Sequence, residues 1–330
     1  MNKSKISILT DPLPFKRNYI IQHSKNFFRF LRGNLFKNKL IRQKTIYRGH
    51  PAVTRSLING FKKCKIEHNY NPKNINNLFD AVIVLAGVET LKQAIYLKKK
   101  GYIKNLFAGP NILNFGNEHN FLIGSSEVDL IIVPSEWVRS MMLEDLPSFN
   151  DKICVWPAGV DTDYWSPTKN IHKDRILIYD KGDESPSRLD LYINFLQKFS
   201  FKVDIVRYNK KKSYTPEKFK NKLESAKLMI GFTGGSESQG IAWAEAWSMD
   251  VPTLIESKSS NIIHGRHVMT STAPYLNAST GDFFDNFRDF RTKFNSSLNN
   301  SEKFKPRDWV INNMSDEVIA QNLYNKISQC

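Results

Sequence analysis

The stretch GGSESQGIAWAEAWSMDVPTLIESKSS, residues 234–260, joins a glycine-rich turn to an apolar helix and then to an apolar strand. One acid stands in its turn, Glu237, and one inside its helix, Glu245. Taking an unpaired carboxylate out of water costs several kcal/mol, so a helix made only for the core has no use for Glu245. Something polar should meet both acids. The same alternation of short apolar strands with amphipathic helices continues on either side, and that alternation builds a parallel, doubly wound sheet with helices on both faces.

Toward the amino terminus, KISIL (residues 5–9), DAVIVLAG (80–87), NLFAGPN (105–111) and VDLIIVPS (128–135) read as strands. GHPAVTRSLINGFKK, VETLKQAIYLKKK and EWVRSMMLEDL read as helices between them. After KICVWPAGVDTDYWSPTKN (152–170), with its Gly and two Pro, the pattern restarts with RILIYDKG, RLDLYINFLQKF, KVDIVRY, PEKFKNKLESA and LMIGFTGG. The expected fold is therefore α/β, with two doubly wound Rossmann-like domains facing each other across a cleft. The expected boundaries are 1–165, 166–310 and a terminal packing helix over 311–330, where Val318, Ile319, Leu323 and Ile327 are near helical spacing. A chain of 330 residues exceeds what one core normally fills, which agrees with two domains.

Hydrophobic residues at 41% and charged residues at 24% exclude a largely disordered chain. No apolar run approaches the roughly 18 residues needed to span a bilayer, and the opening MNKSKISILTDPLP is too short in its apolar part for a secretory signal. Cys64, Cys154 and Cys330 form no CxxC pair, which suits a reducing compartment, so a cytoplasmic location is expected. The charge of +16 is unevenly placed: residues 1–50 hold twelve Lys or Arg against Asp11 alone. Within them KNFFRFLRGNLFKNKLIRQK, residues 25–44, interleaves aromatic and aliphatic side chains with cations. Phospholipid headgroups and nucleic acid phosphates both suit such a surface. No recognised nucleic-acid motif accompanies the charge, which favours lipid and a peripheral place on the inner face of a membrane. Aromatics packed on the protein's own core, with solvated cations, are the alternative.

VPSEWVRSMM (133–142) followed by ICVWPAGVDTDYWSP (153–167) resembles the interdomain signature of retaining GT-B glycosyltransferases, particularly family 4. Glu237, seven intervening residues, Glu245 and then DVPTL are similar to that family's E-x7-E donor motif, and GHPAVTRSLINGF from Gly49 resembles its glycine-containing loop and helix on the acceptor side. The resemblance implies a GT-B fold and transfer of a hexose from a nucleotide sugar to an acceptor hydroxyl, with retention and without a metal or cofactor. In that family the acid at the position of Glu245 binds the nucleotide ribose and the one at Glu237 contacts the transferred sugar. His119 resembles a histidine placed beside that sugar.

The residues themselves agree. A diphosphate needs cations or the orphan N–H groups of a helix start, and Ser238, Gln239 and Gly240 lead into a helix beginning near Ile241. Family members carry an Arg and, five positions on, a Lys after the first strand of the second domain; here Lys181 and Pro186 stand at those places, with Arg188 close by as a substitute. Lysine keeps the charge and loses the planar fork. On the first domain Asn111 and His119 follow a strand, where either could contact the acceptor or the donor sugar, and Gly49 and His50 form another turn where glycine allows close approach; Gly49, His50 and Asn111 are the acceptor-side candidates, and His119 joins Glu237 and Lys181 as a catalytic one. The plain alternatives are a solvated turn for Glu237, an ion pair with a base such as Lys181 for Glu245, a solvated strand end for Lys181 and an ordinary loop histidine for His119. Trp243 and Trp247 read as core. The acceptor suggested by the basic arm is a lipid-linked glycan or lipopolysaccharide precursor. A sugar-nucleotide epimerase of the same fold and a noncatalytic, degenerate transferase are the competing readings.

Overall fold

The computed structural model describes residues 5–11, 50–182, 187–208 and 214–330. Gly49, Pro186 and the basic arm 25–44 lie outside the described residues. Among those described, no helix is long and apolar enough to cross a membrane. The chain divides into two compact units, residues 1–159 with 316–330, and residues 160–315. The sequence reading puts the divisions at 165/166 and 310/311; the compact units divide at 159/160 and 315/316.

The first unit holds β1 (Ile6–Thr10), α1 (His50–Lys63), β2 (His68–Tyr70), β3 (Ala81–Ala86), α2 (Val88–Lys99), β4 (Asn105–Asn111), β5 (Leu130–Val133), α3 (Glu136–Asp145) and β6 (Ile153–Val155). Its six strands run in the order β2-β1-β3-β4-β5-β6, every pairing parallel. All six residues of β3 are buried, as a strand covered on both faces requires.

The second unit holds β7 (Arg175–Asp180), α4 (Ser187–Leu196), β8 (Lys202–Arg207), α5 (Pro216–Glu224), β9 (Ala226–Phe232), α6 (Ile241–Ser248), β10 (Thr253–Glu256), β11 (Ser260–Ile263), β12 (Arg266–Met269), β13 (Gly281–Phe284), α7 (Phe287–Asn299) and α8 (Pro306–Asn313). The parallel sheet is ordered β13-β10-β9-β7-β8, with β11 and β12 forming a separate antiparallel hairpin. Its two faces show the strand period directly. Ile176, Ile178, Ile230 and Phe232 enter a core with Tyr192, Phe290 and Phe294, whereas Leu177, Tyr179 and Met229 enter another with Trp165, Trp243 and Trp247. Trp243 and Trp247 are each 1% exposed, so both belong to the core. Trp243 fits because β9 carries Gly231 opposite it, where an added Cβ would stand 2.6 Å from the ring.

The terminal helix α9 (Asp316–Ile327) completes the first unit, not the second. Ile319, Ala320, Leu323 and Ile327 pack with Val53, Leu57 and Phe61 of α1 and with Ile6 and Ile83 of the sheet. Trp156 donates its indole N–H to the Ile319 carbonyl at 3.0 Å, and Ser56 donates to the buried Asp316 carboxylate at 2.6 Å. Gly60 allows this approach, since a Cβ there would lie 2.1 Å from the Asp316 carbonyl oxygen.

Candidate functional site

In the second unit the strand order reverses between β7 and β9, and open parallel sheets bind ligands outside the carboxyl ends of strands at such a point. Lys181 is the first residue past β7. Its N–H donates to the Phe232 carbonyl at 2.8 Å, and its own carbonyl accepts from Gly234 at 2.9 Å, so the backbone is fixed between the two strand ends. The side chain then reaches the loop after β9, where Lys181 Nζ lies 2.5 Å from Glu237 Oε1. The Glu237 side chain is 12% exposed and that of Lys181 38%. Two residues chosen separately from sequence thus meet, and the acid that Lys181 pairs with is Glu237.

The loop is held from within and from outside. Thr233 Oγ1 donates to the Gly235 carbonyl at 2.6 Å, and the Glu237 N–H donates to the Ser271 carbonyl at 2.9 Å. Ser238 is exposed, Gln239 is buried and Gly240 opens α6 at φ 82° and ψ 56°, the left-handed region. A Cβ at Gly240 would stand 2.2 Å from the Trp243 ring, so the cap must be glycine. It has no side chain with which to cap the first amides of α6, beginning with Ile241, and those amides give that end a partial positive charge. Glu245 lies half-buried one turn into the same helix.

Further polar side chains cluster at this end of the sheet. Arg188 forms an ion pair with Glu256 at the end of β10, with its guanidinium 5.3 Å from the Phe232 ring centroid. Asp180 Oδ2 lies 3.3 Å from Arg207 Nε. Burial pushes the Asp180 carboxyl above its ordinary value, against the pull of Arg207 and Arg188. Burial likewise raises the Tyr192 phenol, and the nearby Glu256 adds to it.

In the first unit one candidate stands at the carboxyl end of a strand. Asn111 is exposed at the end of β4, opposite Ala86. His119 is exposed in a left-handed turn, with φ of 51° followed by 57° at both Asn120 and Phe121. Left-handed backbone costs a non-glycine residue about 1–2 kcal/mol, so this turn is held against local preference. His50 opens α1. Sequence reasoning missed Asp11, the residue just past β1: its carboxylate accepts from Thr90 Oγ1 and sits against Gly87, where a Cβ would be 2.4 Å from Oδ2. The acid following the first strand was the available signal.

No family model matches the sequence, and no curated protein does. Solved structures do. The apo lipopolysaccharide outer core galactosyltransferase WaaB aligns with a TM-score of 0.56 at 13% identity, covering 98% of this chain and 99% of that one. HepE of Anabaena in complex with UDP aligns with a TM-score of 0.54 at 9% identity, covering 99% and 100%. The fold is that of the GT-B glycosyltransferases. A glycosyltransferase from Rickettsia africae also shares it, with a TM-score of 0.50 at 16% identity over the whole of both chains. GT-B chains comprise two Rossmann-like domains, which are the two units described above.

Proposed function

We propose that this protein is a nucleotide-sugar-dependent glycosyltransferase of the retaining, family 4-like kind, moving a hexose to an acceptor hydroxyl. The observation that carries the reading is the Lys181–Glu237 pair at the β7/β9 switch point, beside the glycine-capped start of α6. An ammonium has three donors, so a phosphate oxygen can join Glu237 on Lys181. The α6 amides supply the second positive element for a diphosphate. Glu237 and Glu245 are then the acceptors for hydroxyls, of the sugar and of the ribose respectively. This accounts for two acids in a segment otherwise built for burial.

In the reaction the bond from the anomeric carbon to the donor phosphate oxygen breaks. A bond from that carbon to the acceptor oxygen forms on the same face, and the acceptor proton passes to the departing phosphate. Lys181 and the helix start stabilise the negative charge that grows on the leaving diphosphate. A guanidinium has five donors, so Arg188, while paired with Glu256, can reach the same diphosphate as the substitute for the family's second cation. Ser238, Gln239 and Ile241 shape the turn. The acceptor-side roles of Gly49, His50 and Asn111, and that of His119 beside the sugar, rest on the sequence resemblance. UDP and UDP-glucose in the HepE structures support a nucleotide-sugar donor here. The basic arm 25–44 and the lipopolysaccharide enzyme WaaB support an acceptor carried at a membrane.

Incubating the purified protein with a panel of nucleotide sugars, and measuring both freed nucleotide and glycosylated product, tests the reading. The wild type is expected to release nucleotide from at least one donor in step with acceptor glycosylation. Glu245→Ala should weaken donor binding by about tenfold or more, the worth of a hydrogen bond to a charged group, with the thermal transition retained. Donor binding unchanged in that variant removes Glu245 from the site; conversion of the donor without transfer makes the protein an epimerase or hydrolase instead.

A further inference from the structure

The hairpin formed by β11 and β12 has no part in the reaction above, yet both of its legs end on the loop that carries Glu237. A two-residue turn, His264 and Gly265 with φ of 47° and 82°, closes it at the far end. At the near end Thr270 N–H donates to the Ser259 carbonyl at 2.9 Å, which joins the two legs, and Thr272 Oγ1 donates to the Glu256 carbonyl at 2.7 Å, which ties the second leg to the end of β10. From one leg, Asn261 Nδ2 donates to Ser236 Oγ at 3.2 Å, while its Oδ1 accepts the Ile262 N–H at 2.9 Å. From the other, the Ser271 carbonyl takes the Glu237 N–H at 2.9 Å. The next residue, Thr272, accepts the indole N–H of Trp243 in α6 at 2.9 Å. Gly235 completes the fit: a side chain there would begin 2.9 Å from Asn261 Nδ2.

The loop and α6 are thus bracketed by one small element whose two strands otherwise pair only with each other. We infer that Asn261 is a positioning residue: through Ser236 it sets the loop conformation that aims Glu237, and the hairpin serves as a brace for the donor site. The kinetic consequence rests on the glycosyltransferase reading, whereas the conformational one does not. A loop with its own Thr233–Gly235 bond and a glycine at each end has few internal restraints, so the outside bonds decide where Glu237 points.

The test is amide-resolved hydrogen exchange together with nucleotide-release kinetics on the full chain for Asn261→Ala, Ser236→Ala and the double variant. Losing one hydrogen bond should raise exchange at the Glu237 amide by about fivefold and lower kcat/KM for the donor by a similar factor, with other amides of the second unit unchanged. The double variant should be no worse than Asn261→Ala alone, because that variant already removes the Asn261–Ser236 bond together with the Ile262 contact. Gly235→Ala gives an independent route to the same signature by displacing the Asn261 amide without deleting it. Unchanged exchange at Glu237, additive effects of the two single variants, or faster exchange spread evenly over the unit would each overturn the inference. If the wild type releases no nucleotide from any donor, the proposed function fails, while the exchange measurements still decide the role of Asn261.

Discussion

Asp11 and Lys181 hold matching places in the two units and carry opposite charge. Each is the first residue past the opening strand of its sheet, and each reaches the segment leaving the third strand, Asp11 to Gly87 and Thr90, Lys181 to Glu237. The helices that follow, α2 and α6, both start from a glycine at positive φ without a side-chain cap. In the first unit the helix start already meets an anion, the carboxylate of Asp11. In the second unit the corresponding position supplies a cation. The same topology therefore sets a carboxylate against one helix start and a lysine–glutamate pair beside the other, and on the proposed reading Lys181 is the cation that a diphosphate would share with Glu237.

Reversing that sign is the strongest way to break the comparison. Lys181→Glu should lower affinity for the released nucleoside diphosphate by more than about 100-fold, since a charge-assisted contact contributes about 1.5–3 kcal/mol and repulsion from Glu237 adds to its loss. Calorimetric titration measures it, and an affinity close to wild type would mean that Lys181 does not face the ligand. A smaller effect is expected from the other side. Asp11→Asn should destabilise the fold by about 0.5–2 kcal/mol in denaturant titration, the range for a helix-start partner, and leave nucleotide affinity intact. A loss of binding as large as that of Lys181→Glu would show that the two positions are not independent.

The smallest effect sharpens the electrostatics beside Lys181. The folded value of Asp180 is raised above the ordinary 3.8 by burial, so the folded state holds its proton more tightly than the unfolded one. Stability linked to this group is then fullest below that ordinary value and declines as pH rises through the higher folded value. Asp180→Asn should remove this decline, giving a slightly higher melting temperature at pH 7 and no advantage at pH 3. An identical pH profile in wild type and variant would assign the shift to other groups.

Much of this architecture could be read before any coordinates. The strand Ala81–Ala86 announces itself by unbroken apolar residues, and Ala226–Phe232 nearly so with Lys227 as its one charge, because a parallel sheet buries both faces. Lys181, Glu237 and Gly240 were legible as separate residues, but their meeting was not: Lys181 and Glu237 are 56 residues apart in sequence and are brought together by backbone bonds from Lys181 to Phe232 and Gly234. Asp11 escaped notice for the same reason, its partner Thr90 lying 79 residues away. The hairpin was silent because its strands are four residues each and its turn is His-Gly, outside the strongest hairpin dipeptides. Assigning the terminal helix to a domain was likewise beyond periodicity, which reports an apolar face and not the surface it covers.

That last helix has a consequence for how the protein is made. Residues 160–315 form an insertion within a domain whose sequence begins before them and resumes after them. On a ribosome the inserted domain has all of its parts first. The domain that starts emerging earliest must wait for Ile319, Leu323 and Ile327 before Phe61 and Val53 are covered. Its unfinished apolar surface is then exposed through most of synthesis, and nascent chains halted before residue 316 should bind chaperones through the early domain and not the later one.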